Sequence, residues 1–184
     1  MPDSKKRTIL LGLAFLTFLF LSSFENTVFF NILLRDVLQN WLLAVGMLFL
    51  HNVLVISLIL LGMTFYVSLV TSGFFKREKY SHIVLEHPRT FAIIFTIVIV
   101  FLSILRGGTL IYGKISLEAL PTILLISTPV GMVEGYGIYL TIKKTLSRTL
   151  QTRDLAFIYG IFFVAAIMEV AFINILIIVL NLAA

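Results

Sequence analysis

Two acidic side chains, Glu134 and Glu169, lie deep inside long apolar runs, and they are the residues of this sequence best placed to do chemistry. An ionised carboxylate in hydrocarbon costs about 2.5 to 3.5 kcal/mol for Asp on insertion scales, so such a group must face protein or water. Glu134 sits in Thr128-Pro129-Val130-Gly131-Met132-Val133-Glu134-Gly135-Tyr136-Gly137, a stretch holding a proline and three glycines. On a straight helix Glu134 lies about 12 Å from Ile142 and Glu169 about 21 Å from Leu155, both well away from the ends of their apolar runs. They read as a shared polar centre on adjacent helices. That centre could bind a proton or cation, or it could be a pair of hydrogen-bonded groups that orient two helices.

The residues around Glu134 support both readings. Gly131-x-x-x-Gly135 is a small-x-x-x-small pattern that lets helix backbones approach closely. Pro129 removes a backbone donor and frees a carbonyl, which favours a kinked or unwound helix, and freed carbonyls beside a carboxylate are the material of cation sites in broken helices. His51-Asn52 forms a second polar spot, read as an exterior-side turn with Asn52 as a helix cap. His82, Glu86 and His87 have metal-ligating atoms but no defined ligand pattern, and read as part of a solvated loop.

The elements that must hold these groups follow from composition. The chain has 184 residues, 60% hydrophobic and 12% charged, with a mean hydropathy of +1.09. It reads as all-α, a polytopic membrane helical bundle in a single domain covering residues 1–184. The expected spans are 8–24, 53–73, 90–105, 120–142 and 155–180. The polar-spotted stretch 25–40 is expected to be interfacial. The run from Trp41 to Phe75, about 52 Å as one helix, is too long for a bilayer core of about 30 Å, which predicts a break at His51-Asn52 and a lateral or re-entrant 41–50 segment. His87-Pro88 predicts a helix boundary before Thr90, Arg106-Gly107-Gly108 an end to the third span, and Pro121 a first helical turn.

Charge sets the expected orientation. Three basic residues precede the first span, four lie between Phe74 and Arg89, and four follow the fourth span, against Arg35, Arg106 and Lys114 on the other side. The amino terminus is therefore expected in the cytoplasm and the carboxyl terminus outside the cell membrane. The net charge of +5 gathers at the ends of apolar runs, which argues for lipid contact and against nucleic acid. There is no cysteine, zinc helix, nucleophile elbow or phosphate-binding glycine loop, so neither catalysis, a cofactor nor a metal is expected.

Pro129-Val130-Gly131-Met132-Val133-Glu134 resembles the Pro-His-Gly-x-x-Glu signature of the stage II sporulation protein M family of small polytopic membrane proteins. Phe163-Val164-Ala165-Ala166-Ile167-Met168-Glu169-Val170 is similar to that family's small-residue stretch ending in glutamate, and Phe49-Leu50-His51-Asn52 resembles its asparagine pair before the second long span. Three departures stand out: Val130 replaces the signature histidine, His51 replaces one asparagine, and Ser72-Gly73 stands where the family often has Asn-Gly. The first weakens the case for a titrating His and Glu pair. The family's named bacterial member looks like a scaffold within an envelope complex whose partners carry the hydrolytic activity; for this chain the resemblance implies the fold and an integral-membrane role, and a non-catalytic scaffold is the first expectation. The partners expected are membrane lipid, membrane or envelope proteins, and a second copy of the chain. The alternative is a small oligomeric channel or transporter using Glu134 and Glu169.

Overall fold

The computed structural model describes residues 2–32, 40–72, 83–112 and 120–183. Among them the chain is all-helical, with six helices: α1 (Pro2–Ile32), α2 (Trp41–Thr71), α3 (Ile83–Glu86), α4 (Pro88–Tyr112), α5 (Leu120–Leu146) and α6 (Thr152–Ala183). Two helical stretches, Trp41–Thr71 and Thr152–Asn174, are long and apolar enough to cross a membrane, and Thr8–Ser22 and Pro88–Ile104 are shorter apolar helical stretches.

Successive long helices run in opposite directions. Thr8 of α1 shares a 2.8 Å hydrogen bond with Ser68 near the end of α2, and Phe15 stacks on Phe65 one helix away, ring centres 6.4 Å apart. α5 packs against α2, α4 and α6, while α1 touches α2. One apolar cluster joins Ala44, Val45 and Leu48 of α2 to Ala166 and Val170 of α6. A second joins Ile56 of α2, Ala92 of α4, Ile138, Ile142 and Leu146 of α5, and Ile158 and Phe162 of α6.

Three expected breaks are absent. α2 is continuous through His51 and Asn52, so no lateral 41–50 segment precedes it and these two residues are not a turn. The helix begins instead at Asn40, whose side chain accepts the Leu43 N–H at 3.2 Å. No proline interrupts the run after that cap, and one Asn inside a helix costs under about 1 kcal/mol, too little to stop it. Residues 25–32 continue α1, because Glu25, Asn26 and Thr27 stand among helix-compatible residues with no Gly or Pro. The rest of the expected interfacial stretch, 33–39, lies outside the described residues. Gly107 and Gly108 are inside α4, which runs on to Tyr112; glycine weakens a helix by about 1 kcal/mol each without blocking its hydrogen bonds. The boundaries at Pro88 and Pro121 fall where proline belongs, at or next to the first helical position.

The α5–α6 corner is closed by its own backbone. Thr149 donates to the Lys144 carbonyl at 3.0 Å and Arg148 to that of Thr145 at 3.1 Å, a Schellman-type end with Arg148 at φ 56, where glycine is usual. Asp154 accepts from the Gln151 N–H at 3.0 Å, capping α6, and from the Lys144 amine at 2.8 Å, tying the two helices together.

Among the described glycines the tightest contact is between α5 and α6, where a side chain on Gly137 would overlap the Phe162 ring. Phe162 is almost wholly buried and its ring has nowhere to swing. Gly137→Ala is therefore expected to destabilise the purified protein by about 1–3 kcal/mol, read as a lower melting temperature. Phe162→Leu in the same chain should recover part of the loss, and Gly160→Ala, inside α6 with open space at its Cβ position, should not destabilise and should gain up to about 1 kcal/mol from helix propensity.

Candidate functional site

Most buried hydroxyls in the bundle are satisfied within their own helix. Thr141 donates to the Gly137 carbonyl at 2.8 Å, Thr145 to that of Thr141 at 2.7 Å, and Ser57 to that of Val53 at 2.7 Å. Such back-bonding answers a hydroxyl without a partner from another helix. Carboxyl and amide groups reach further, and the structure brings one of each together. Asn52 of α2 and Glu134 of α5 face one another, the Asn52 side chain acting directly on the Glu134 carboxyl. Asn52 is only 7% exposed, and Glu134 is half-buried.

On α2, Asn52 lies between the residues that feed the two apolar clusters, so this polar contact forms a layer between them. The contact is not a closed hydrogen bond: the amide nitrogen Nδ2 of Asn52 is buried and makes no bond of ordinary length and angle. The Thr96 hydroxyl of α4 is the other buried polar group left this way among the described residues. Thr96 reaches the same level of the bundle, its methyl carbon 3.6 Å from where a Cβ on Gly135 would stand.

Each expected site residue can now be placed. Gly131 and Gly135 face α4, with Val100 at 3.4 Å from the Cβ position of each, so the small residues serve the α4–α5 contact. Pro129 is exposed and inside a helix that stays wound from Leu120 to Leu146. The carbonyl it deprives of a donor belongs to Leu125, nine residues or about 13 Å before Glu134 and on the opposite helix face, so it adds no ligand beside the carboxylate. Glu169 is half-buried on α6 and has a partner of its own. The Gly137–Phe162 contact between antiparallel helices puts Glu169 level with Val130, about one turn from Glu134. The residue whose side chain acts on the Glu134 carboxyl is Asn52.

His51, expected beside Asn52 in a turn, is half-buried in the middle of α2, with a partner. Glu86 and His87 are exposed at the α3–α4 junction, His82 lies outside the described residues, and no group of three metal-ligating side chains exists among the described ones. Sequence reasoning noted Gly137 as a kink residue, whereas it serves the contact with Phe162; it missed Thr96 and a groove of about 650 Å³ between α5 and α6, lined by residues including Met132, Tyr136, Phe157 and Gly160, neither of which carries a signal of its own in an apolar run.

The arrangement sets the Glu134 carboxyl of α5 against the Asn52 amide of α2, with the Thr96 hydroxyl of α4 at the same level. Compared with known proteins, the chain matches no family model, no curated protein and no solved structure.

The Asn52–Glu134 contact makes a non-additive prediction. Asn52→Leu leaves the carboxyl against apolar surface and should cost about 1–3 kcal/mol of stability, whereas replacing both partners by Leu should be close to neutral. A thermal-melting cycle over the two single variants and the double variant checks it, and simple additivity would show that the two side chains do not act together.

Proposed function

We propose that the chain is a non-catalytic, multi-pass cell-membrane scaffold of the sporulation protein M kind. On this reading the bundle crosses the membrane five times, through α1, α2, α4, α5 and α6, with the amino terminus in the cytoplasm. The alternating helix directions, the two long apolar helices and large exposed apolar residues such as Phe20, Leu42, Leu125 and Met132 support it, because a surface of that kind suits lipid better than water.

The observation that carries the scaffold reading is the contact between Asn52 and Glu134. A half-buried acid opposed by an amide on a neighbouring helix favours one register of that pair, and the groove beside α5 is apolar. The first turn of α2, where Trp41, Leu42 and Leu43 are exposed, is the place for a membrane or envelope protein to dock. A second reading, proton or cation transport, is favoured by the unpartnered Asn52 amide and Thr96 hydroxyl, which leave capacity for water or an ion beside Glu134.

Two measurements separate the readings. A photo-crosslinker at position 41 in native membranes should yield a discrete protein adduct; recovery of lipid and self-adducts alone would count against a docked partner. In proteoliposomes the wild-type chain should carry no pH-dependent flux. A flux that Glu134→Gln abolishes would replace the scaffold by a transporter.

A further inference from the structure

The groove between α5 and α6 continues into charge. Its α5 wall includes Met132 and Tyr136, and its α6 wall Phe157, Gly160 and Val164. At 100° per residue, Lys143 falls on the α5 face of Met132 and Tyr136, and Arg153 on the α6 face of Phe157, Gly160 and Val164. Both cations therefore stand at the same end of the groove, beside the tight 147–151 corner. Lys144 is paired with Asp154 at 2.8 Å, which leaves Lys143, over the Tyr139 ring at 5.5 Å, and exposed Arg153 as the cations in line with the groove.

Dimensions agree with the chemistry. From Arg153 to Val164 is eleven residues, about 16 Å of helix, close to half of the about 30 Å hydrocarbon core. Gly160 keeps the floor open, with nothing within 4 Å of its Cβ position. The result is an apolar channel one leaflet long with positive charge at its headgroup end.

We propose that this groove seats one anionic phospholipid, an acyl chain lying between α5 and α6 and its phosphate held by Lys143 and Arg153. The proposal rests on the membrane reading above, with the 147–151 corner on the cytoplasmic side. Cationic side chains at a leaflet surface favour anionic lipid by about 1 kcal/mol each, or about fivefold in occupancy. The lipid would act as a third wall joining two helices that already meet at Gly137 and Phe162.

The test uses the full chain. Alkaline carbonate extraction of native membranes comes first: release of the chain into the supernatant overturns both the membrane reading and the lipid site. If it stays in the membrane, native mass spectrometry follows in detergent with equal amounts of phosphatidylglycerol and phosphatidylcholine. Phosphatidylglycerol adducts should dominate, and Lys143→Gln and Arg153→Gln should each lower that preference about fivefold. Gly160→Leu, which fills the groove without touching the core, should lower the occupancy of both lipids. Equal occupancy in the wild type, a preference unmoved by the charge variants, or a Gly160→Leu effect on the monomer–dimer ratio with lipid count unchanged would each overturn the lipid site while leaving the membrane reading intact.

Discussion

A carboxyl and an amide that leave water together are costly to bury apart, and the approach of Asn52 to Glu134 is the polar constraint within an otherwise apolar contact of α2 with α5. Removing one such partner costs the full desolvation of the other, whereas ordinary apolar contacts tolerate a shift of an ångström with little loss. Sliding α2 along α5 would therefore separate these two groups. Above and below it, the Ala44–Val170 and Ile56–Phe162 clusters supply the non-directional attraction. Their Leu, Ile, Val and Ala side chains would permit several registers; the carboxyl–amide contact favours one.

The helices reach these positions because rings lie over missing side chains. Phe65 covers Gly12 and Phe15 covers Gly62, a reciprocal exchange that joins α1 to α2, and Phe162 covers Gly137 to join α5 to α6. Where the environment is itself apolar, close van der Waals packing of this kind stands in for the hydrophobic drive of a water-soluble core. At the α5–α6 corner the ends are secured by charge instead: Asp154 caps α6 and holds Lys144, and the helix end at Arg148 closes in a conformation normally left to glycine. On the five-span reading, packing governs the hydrocarbon and charge governs the rim.

Much of this was legible in the residues. Composition alone pointed to an all-helical chain, and Pro88 and Pro121 marked helix starts because proline's fixed φ and missing donor suit a first turn. Glu134 drew attention by being ionisable in an apolar run. Three expected breaks do not occur: at His51-Asn52, where the expectation rested on the length of the run against a bilayer's thickness, after Phe24, where it rested on scattered polar residues, and at Gly107-Gly108, where glycine's cost of about 1 kcal/mol does not stop a helix. The approach of Asn52 to Glu134 was not legible either, because register between helices is set by contacts such as Gly137 with Phe162, more than twenty residues apart in the chain. Asn52 looked like a cap only because the helix was expected to start there.

On the five-span reading Glu134 lies inside a bilayer between helices whose ends alternate across it. The chain contains no native cysteine, so single cysteines can report this directly through labelling with a membrane-impermeant maleimide in oriented vesicles. Cysteine at position 149 should react only from the cytoplasmic side, at position 40 only from the exterior, and at position 134 from neither. Labelling of position 134 from water, or of positions 40 and 149 from the same side, would contradict the account.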